Sequence, residues 1–366
     1  MIYIYVFISS TFFAYLASRT KNRGLLYIYS AISILIPSIV GGLRAYGVGI
    51  DTTVYGRSSF LAALNARDMY QFVFRNPEIG FSFLIYAISR IADSENWAYF
   101  AYQIITFTCI YIGAYKHKDK ISMSFVMFIW LVLHYAESYN AMRQTLACSI
   151  IFMGLDKLEN KQYGKFALTI AAAATFHTSA LGAFVLILGM HIVTTSDALD
   201  RNTWLKFMVM YGSLLAFAAL RPIIVMLVSR LEILAKYRGY LYGINNVRPH
   251  VSSMMLFLGQ LVMIFLYHKQ ASRIFTNNGI KNLEFYTYNL LFCVAFMLTV
   301  GSAAGRALRY QQQAQTLVLA ALPKFVREKH LRFLVTLAVV CTVAFYLWYT
   351  TVVRGNSGVL PYRSIL

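Results

Sequence analysis

Acidic residues are scarce in this sequence. It carries 14 aspartates and glutamates against 33 lysines and arginines, and charged side chains make up only 13% of it. Soluble domains carry about twice that share. A water-facing surface over most of the chain is therefore excluded, and no stretch reads as a separate soluble domain. Cysteines are few: Cys109, Cys148, Cys293 and Cys341 lie inside apolar segments without CxxC spacing. That excludes a disulfide framework and a zinc site, and leaves buried core thiols. A Gly-rich phosphate loop of the nucleotide-binding kind is missing, and so are HExxH and GxSxG. Chemistry driven by bound nucleotide loses its usual signature, which leaves an energy source carried by the substrate itself. Alternation of apolar and polar residues is missing as well, which argues against a transmembrane barrel.

What is present is apolar length. Hydrophobic residues fill 59% of the 366 positions, and mean hydropathy is +0.58. Runs of roughly 20 apolar residues, enough to span a bilayer core, recur from one end to the other. The chain reads as an all-α polytopic integral membrane protein, a single transmembrane domain over 1–366. Candidate spans are 2–18, 25–41, 97–115, 121–137, 141–156, 165–193, 204–220, 222–234, 252–268, 284–302, 308–323 and 333–352, with 79–92 as a short extra. About 12 to 14 membrane helices are expected. The N-terminal stretch MIYIYVFISSTFFAYLAS has no basic residue before its apolar run, and Arg19, Lys21 and Arg23 follow it. This favours a first span with its N-terminus outside over a cleaved signal peptide.

The formal net charge is +19. In a soluble protein it would raise nucleic acid as a partner; here much of it is topology, because short cytoplasmic loops collect lysine and arginine. Five clusters read as cytoplasmic: SRTKNR, KHKDK, KLENKQYGK, HKQASR through Lys281, and KFVREKHLR. Together they hold 16 of the 33 basic residues. Outer-side elements are then expected near 42–78, 138–143, 235–251 and 303–309, and in the C-terminal tail. One count fails. Residue 44 comes out external and KHKDK internal, yet 79–92 and 97–115 would give two crossings between them. Either 79–92 is re-entrant or the amphipathic 58–74 also crosses; 79–92 is short for a span, which favours re-entry. The long stretch 165–193, with FHTS at its centre, is either two half-helices or one tilted helix.

Eleven of the 13 lysines fall in the cytoplasmic clusters, but only five of the 20 arginines. The other arginines lie in spans or on the outer side. Lysine is a strongly hydrated point charge, whereas arginine presents a planar donor fork matched to phosphate and carboxylate. Snorkelling at helix ends accounts for some of them.

The arginines cluster with other polar groups. In GGLRAYGVGIDTTVY, 41–55, Arg44, Asp51 and Tyr55 follow an apolar helix, with Gly47 and Gly49 between them. Arg44 and Asp51 could pair locally to hold a loop, or form a ligand-binding loop with Arg44 for an anion and Asp51 for a hydroxyl or a proton. In HYAESYNAMRQTLA, 134–147, Glu137 ends one span, and Arg143 with Gln144 sits about a turn inside the next. An arginine at that depth needs a partner or a polar cavity, and a Glu137–Arg143 pair is compatible with a functional role. In TFHTSAL, 175–181, His177 is either an interhelical hydrogen-bond donor or a general base. In GSAAGRALRYQQQAQ, 301–315, Arg306, Arg309 and Tyr310 share one helix face, which suits a multiply charged anion. The glutamines that follow continue a polar surface inward. The loop KYRGYLYGINNVRPH, 236–250, offers Tyr240 and Arg248 among residues suited to sugars, or is simply a solvated loop. All these clusters fall in the outer half of the expected topology. An outward-facing cavity rich in arginine implies a diphosphate-bearing amphiphile.

Arg44, GVGIDTTVY, AMRQTLA, FHTSA, RALRY and the terminal PYRSIL, in that order, resemble the EpsG-like, Wzy-type polysaccharide (O-antigen) polymerases of bacterial inner membranes. The resemblance runs through most of the chain, although 195–300 shows little that matches. It implies a GT-C-like glycosyltransferase architecture and transfer of a growing glycan from undecaprenyl pyrophosphate to the next lipid-linked repeat unit on the periplasmic face. It implies no cofactor and no obligatory metal. The partners would be the lipid-linked donor and acceptor, membrane lipid and a chain-length regulator membrane protein, with no nucleic acid. Carried over by position, Arg44, Arg143, Arg306 and Arg309 are the pyrophosphate candidates. Asp51 and His177 compete as base beside Arg143, with a lean to Asp51. Tyr55, Glu137, Gln144, Tyr310, Tyr240 and Arg248 are substrate candidates. A lipid-linked oligosaccharide flippase and an O-antigen ligase are the rivals. A flippase should show internal repeats, and no convincing repeat is present.

Overall fold

The computed structural model describes residues 2–219, 221–230, 251–300 and 304–366. The described residues are almost entirely helical, joined by short turns and one two-stranded hairpin, Thr276–Asn277 with Ile280–Lys281. They form two compact units, 1–182 with 333–366, and 183–332.

In the first unit, helices α1 (Ile2–Arg19) and α2 (Arg23–Gly42) form an antiparallel pair. Asn22 starts α2 by accepting the N–H of Leu25 at 3.1 Å. Pro37 lies inside α2 and has no N–H for the Ser33 carbonyl four residues back. The hydroxyl of Ser10 on α1 donates to that carbonyl at 2.7 Å, so the proline gap becomes an interhelical tie. The Pro37 carbonyl in turn accepts from Tyr135 at 2.8 Å. Gly42 lets the next long helix come close, since a Cβ there would meet Phe100 Cβ at 2.7 Å.

Short helices α3 (Arg57–Asn65), α4 (Met69–Phe74) and α5 (Ile79–Ser89) follow, then the 22-residue α6 (Glu95–Lys116). At about 1.5 Å per residue, the first three reach only about 9 to 17 Å, against about 30 Å for a hydrocarbon core. Asn96, in the first turn of α6, donates to the carbonyls of Gly42 and Arg44 at 2.6 and 2.8 Å. Residues 43–94 thus leave and re-enter the bundle at the same end. One long helix, α6, then connects the Arg44 end to Lys116, while 58–74 and 79–92 lie in short helices.

Helices α7 (Met123–His134), α8 (Met142–Glu159) and α9 (Tyr163–Phe176) complete the walls. At the Lys116 end, Lys116 joins Asp156 at 2.8 Å and His117 lies 3.4 Å from Glu159. At the Arg44 end, Gln103 of α6 donates to the Ser138 hydroxyl at 3.0 Å. Trp130, Phe107, Tyr135 and Tyr139 are fully buried between them. The stretch 165–193 is two helices, α9 and α10 (Ala180–Thr194), broken at 177–179.

The second unit holds most of α10, then α11 (Asp197–Asp200), α12 (Thr203–Ala219), α13 (Arg221–Arg230), α14 (Val251–Leu266), α15 (His268–Ile274), α16 (Leu283–Val300) and α17 (Ala304–Phe325). Helix α18 (Lys329–Trp348) leads the chain back into the first unit.

Three helical stretches among the described residues are long and apolar enough to cross a membrane by length and composition: Ile2–Arg19, Arg23–Gly42 and Lys329–Val353. Five shorter apolar helices accompany them. The protein is an all-α membrane protein, but the count of 12 to 14 apolar spans is not reproduced. The reason is visible in α6 and α8. They bury Gln103, Thr106, Gln144 and Thr145 against other helices, and these polar residues lower the hydropathy of both helices.

Candidate active site

The site is built where three chain breaks meet at the Arg44 end. The first is the loop after α2. Arg44 is 0% exposed, with its guanidinium between the rings of Tyr99 and Tyr139 at 4.4 and 4.5 Å. It donates to the Gly41 carbonyl and to Met142 Sδ. No face of Arg44 reaches solvent, so it serves the fold, as cation–π contacts in a desolvated setting allow. The anion-binding expectation for Arg44 has that burial against it. Gly49, at φ +88°, lets this loop lie against Tyr139, where a Cβ would come within 2.6 Å of the Tyr139 carbonyl oxygen. The loop delivers Asp51 at the start of a five-residue π-helical turn, Thr52–Gly56.

Asp51 is buried, and its Oδ2 accepts the N–H of Met142 at 2.9 Å and the hydroxyl of Tyr55. Met142 is the first residue of α8, whose own N-cap, Ala141, has no side chain to offer. A carboxylate from another part of the chain does that work, in favourable register with the positive end of the helix. Asp51 is thus tied to α8 and Tyr55, not held by Arg44.

Arg143 is the next residue of α8. Its guanidinium covers the Tyr55 ring at 4.2 Å and the Phe81 ring at 4.9 Å. Its Nη1 donates to Glu78 Oε2 at 2.5 Å. The pair with Glu137 does not form this way. Glu137, half-buried, lies 3.4 Å from His134 Nδ1, and Gln144 is buried inside the bundle.

His177 comes from the third break. Helix α9 ends at Phe176, and His177 takes an extended conformation that swings its ring off the helix. Its Nδ1 meets Glu78 Oε1 at 2.5 Å, which requires Nδ1–H to donate to the carboxylate and leaves Nε2 as the basic nitrogen. Among the described residues Nε2 has no hydrogen-bond partner. Glu78 precedes α5, whose start comes close to α9 because residue 80 is glycine; a Cβ there would run into Thr175. The Thr178 N–H also donates to Glu78. Burial alone would raise the Glu78 carboxyl. The His177 hydrogen bond and the Arg143 charge outweigh it and hold the group below the usual carboxylate range.

Glu78 is the residue that sequence reasoning missed. It is 7% exposed and joins Arg143 to His177, two residues the sequence singled out separately. Its signal was an acidic residue, in a chain poor in acid, at the head of an apolar segment too short to span.

In the second unit, Arg309 and Tyr310 lie in the first turns of α17, with Arg309 half-buried and Tyr310 3% exposed. Arg306 is in the first turn of the same helix, and its side chain lies outside the described residues, as do Tyr240 and Arg248 altogether. Gln311, Gln313 and Gln315 are buried, so the polar surface read after the arginines faces protein. This unit also has a cavity of about 500 Å³ around Lys206, Asp200 and Glu284. Lys206 fastens its wall by donating to Thr194 O at 2.8 Å and pairing with both carboxylates.

Helical walls with an imidazole, a carboxylate and a guanidinium gathered at one end describe a polytopic membrane protein with a charged cluster at the end of its bundle. Residues 27–364 match the EpsG family, and the chain belongs to it. That membership places it among polymerase-like, glycosyltransferase-like membrane proteins of polysaccharide biosynthesis. No curated protein and no solved structure matches the chain.

Proposed function

We propose that the protein polymerises undecaprenyl-pyrophosphate-linked oligosaccharide repeat units, O-antigen or a related polysaccharide, on the periplasmic face of a bacterial inner membrane. The observation that carries this reading is Glu78 bridging His177 and Arg143. His177 is the general base: Glu78 fixes its tautomer and would stabilise the imidazolium formed. Asp51, occupied with the first N–H of α8, positions Arg143 instead of taking the proton.

In the transfer step the acceptor O–H bond breaks and its proton passes to His177 Nε2. The freed oxygen pair forms a bond to the donor's anomeric carbon. The bond from that carbon to the phosphate oxygen breaks, and its electron pair leaves with the lipid pyrophosphate. Positive side chains stabilise that departing charge, the role the family resemblance gives to Arg306 and Arg309.

Sidedness follows from the lysines. Lys116, Lys118, Lys120, Lys157 and Lys161 gather at one end of the first unit. By the positive-inside rule that end is cytoplasmic, and the Glu78–His177 end is periplasmic.

The test is complementation of a strain lacking the gene with wild type, His177→Ala or Arg306→Ala at matched membrane levels, with surface polysaccharide resolved by gel. The expected result is a single repeat unit on the surface lipid in place of the ladder. Loss of all surface sugar would point to flipping or ligation, and an unchanged ladder would reject the site.

A further inference from the structure

We infer that the Glu78–His177–Arg143 cluster holds the acceptor's terminal sugar, and that the lipid pyrophosphate binds elsewhere. The inference rests on the polymerase reading and assigns one of its two substrates to this place.

Charge decides first. Glu78 gives one oxygen to Arg143 and the other to His177. With a neutral imidazole, the three groups sum to zero. A pyrophosphate diester brings about two negative charges and calls for surplus cations or free donor forks. Arg143 offers it only part of its donor fork, because Nη1 is spent on Glu78 and the guanidinium lies over two rings. An added dianion would have to compete with Glu78 at close range, where like charges repel strongly.

The same groups suit a polyol. A hydroxyl needs an acceptor for its hydrogen and donors for its oxygen, and no net charge. His177 Nε2 supplies the acceptor. Arg143 is about a third exposed at its side chain and His177 slightly less, so both have an accessible edge. The next two residues, Thr178 and Ser179, are exposed and carry hydroxyls. A sugar hydroxyl at Nε2 is also where the proposed step needs it. Glu78 is then a positioning residue: it touches no substrate atom and acts through the ring it orients.

The experiment is equilibrium binding to the purified full chain in lipid nanodiscs. One probe is the host's repeat-unit oligosaccharide, freed of lipid and phosphate by mild acid; the other is farnesyl pyrophosphate. Two variants are compared with wild type, Glu78→Gln and His177→Gln. The expected result is oligosaccharide binding weakened about tenfold or more in both, the loss of a charge-assisted contact, with farnesyl pyrophosphate affinity unchanged within about twofold. The unchanged probe also shows that the variants are folded. If pyrophosphate sits in the cluster, Glu78→Gln frees Arg143 and tightens farnesyl pyrophosphate while leaving the oligosaccharide alone, which overturns the inference and spares the polymerase reading. A wild-type chain that binds farnesyl pyrophosphate but no oligosaccharide also overturns it. Binding of neither probe by wild type would remove both.

Discussion

The carboxylate of Asp51 caps a helix that begins 91 residues later, accepting the N–H of Met142 at 2.9 Å. The same oxygen receives the Tyr55 hydroxyl, and the Tyr55 ring lies under Arg143. Asp51→Ala should therefore destabilise the protein by about 1–2 kcal/mol, as loss of a helix cap does, and should lower polymer yield by misplacing Arg143. Asp51→Asn keeps an acceptor for the N–H and should cost less on both counts. Thermal unfolding in detergent, alongside the polysaccharide ladder, checks it. An Asp51→Asn protein of normal stability with no polymer at all would make Asp51 the base and displace His177.

Acid should release the Glu78 bridge. Its carboxyl is held below the usual range in the folded protein, so its contribution is present above the unfolded carboxylate pKa of about 4.3 and is lost as pH falls through the folded value. The stability difference between wild type and Glu78→Gln should be constant from neutral pH down to about 5 and should close below about 4. Chemical unfolding in detergent across that range measures it. A gap that is unchanged in acid would show that Glu78 is not ionised in the folded state.

The parts of this arrangement that were legible in the sequence are those governed by composition. The membrane class and the end of α2 at Gly41–Gly42 follow from apolar runs and their interruptions, while the break at His177 was one of two readings open for 165–193. The clustering of Asp51, Tyr55, Arg143 and His177 was suggested only by their common side in the expected topology. The contacts that join them were not legible, because each spans a long sequence separation and depends on how short helices stack. Glu78 meets His177 through a backbone approach permitted at Gly80. Arg44 reads as an anion site in sequence because arginine after glycines usually faces ligand or water. The rings of Tyr99 and Tyr139, from two other elements, close over it. Helices α6 and α8 do stand at the expected spans 97–115 and 141–156, with polar residues such as Gln103 and Thr145 buried inside the protein.

At the opposite end, His117 and Glu159 form a buried pair 3.4 Å apart. Burial alone would lower the His117 pKa, but the nearby Glu159 charge, with the Gly113 carbonyl, raises it above the ordinary histidine value. A raised folded pKa means the contribution is fully present below the unfolded value of about 6.5 and is lost as pH climbs through the folded one. His117→Asn should therefore be least stable relative to wild type at about pH 6 and below, with the gap narrowing as pH rises. The pair is at the Lys116 end, away from Glu78, so the ladder made at neutral pH should keep its length. A gap that widens with pH would mean that His117 is held neutral.

The C-terminal segment is strapped across the loop that presents Asp51. Ala45 N–H donates to the Arg363 carbonyl at 2.8 Å, Ile365 N–H to the Leu43 carbonyl at 3.0 Å, and Gly49 N–H to the Gly358 carbonyl at 2.9 Å. The Tyr362 hydroxyl adds a bond to Val40 O at 2.9 Å. The bonds at Leu43, Ala45, Arg363 and Ile365 pair backbone that belongs to no helix, and backbone groups left without a partner are costly. Gly49 sits at the crossing of strap and loop. Gly49→Ala must place a Cβ at φ +88° against the Tyr139 carbonyl, a strain of about 1–3 kcal/mol. Removal of residues 361–366 would free the loop from the other side. Both changes should leave the protein in the membrane at near-normal levels while shortening or abolishing the polysaccharide ladder, because Asp51 loses its hold on α8. Limited proteolysis distinguishes this from general unfolding: new cleavage is expected within 43–51, with the Lys116 end still protected. Cleavage spread evenly over the chain would mean that the strap holds up the whole unit instead of positioning its site.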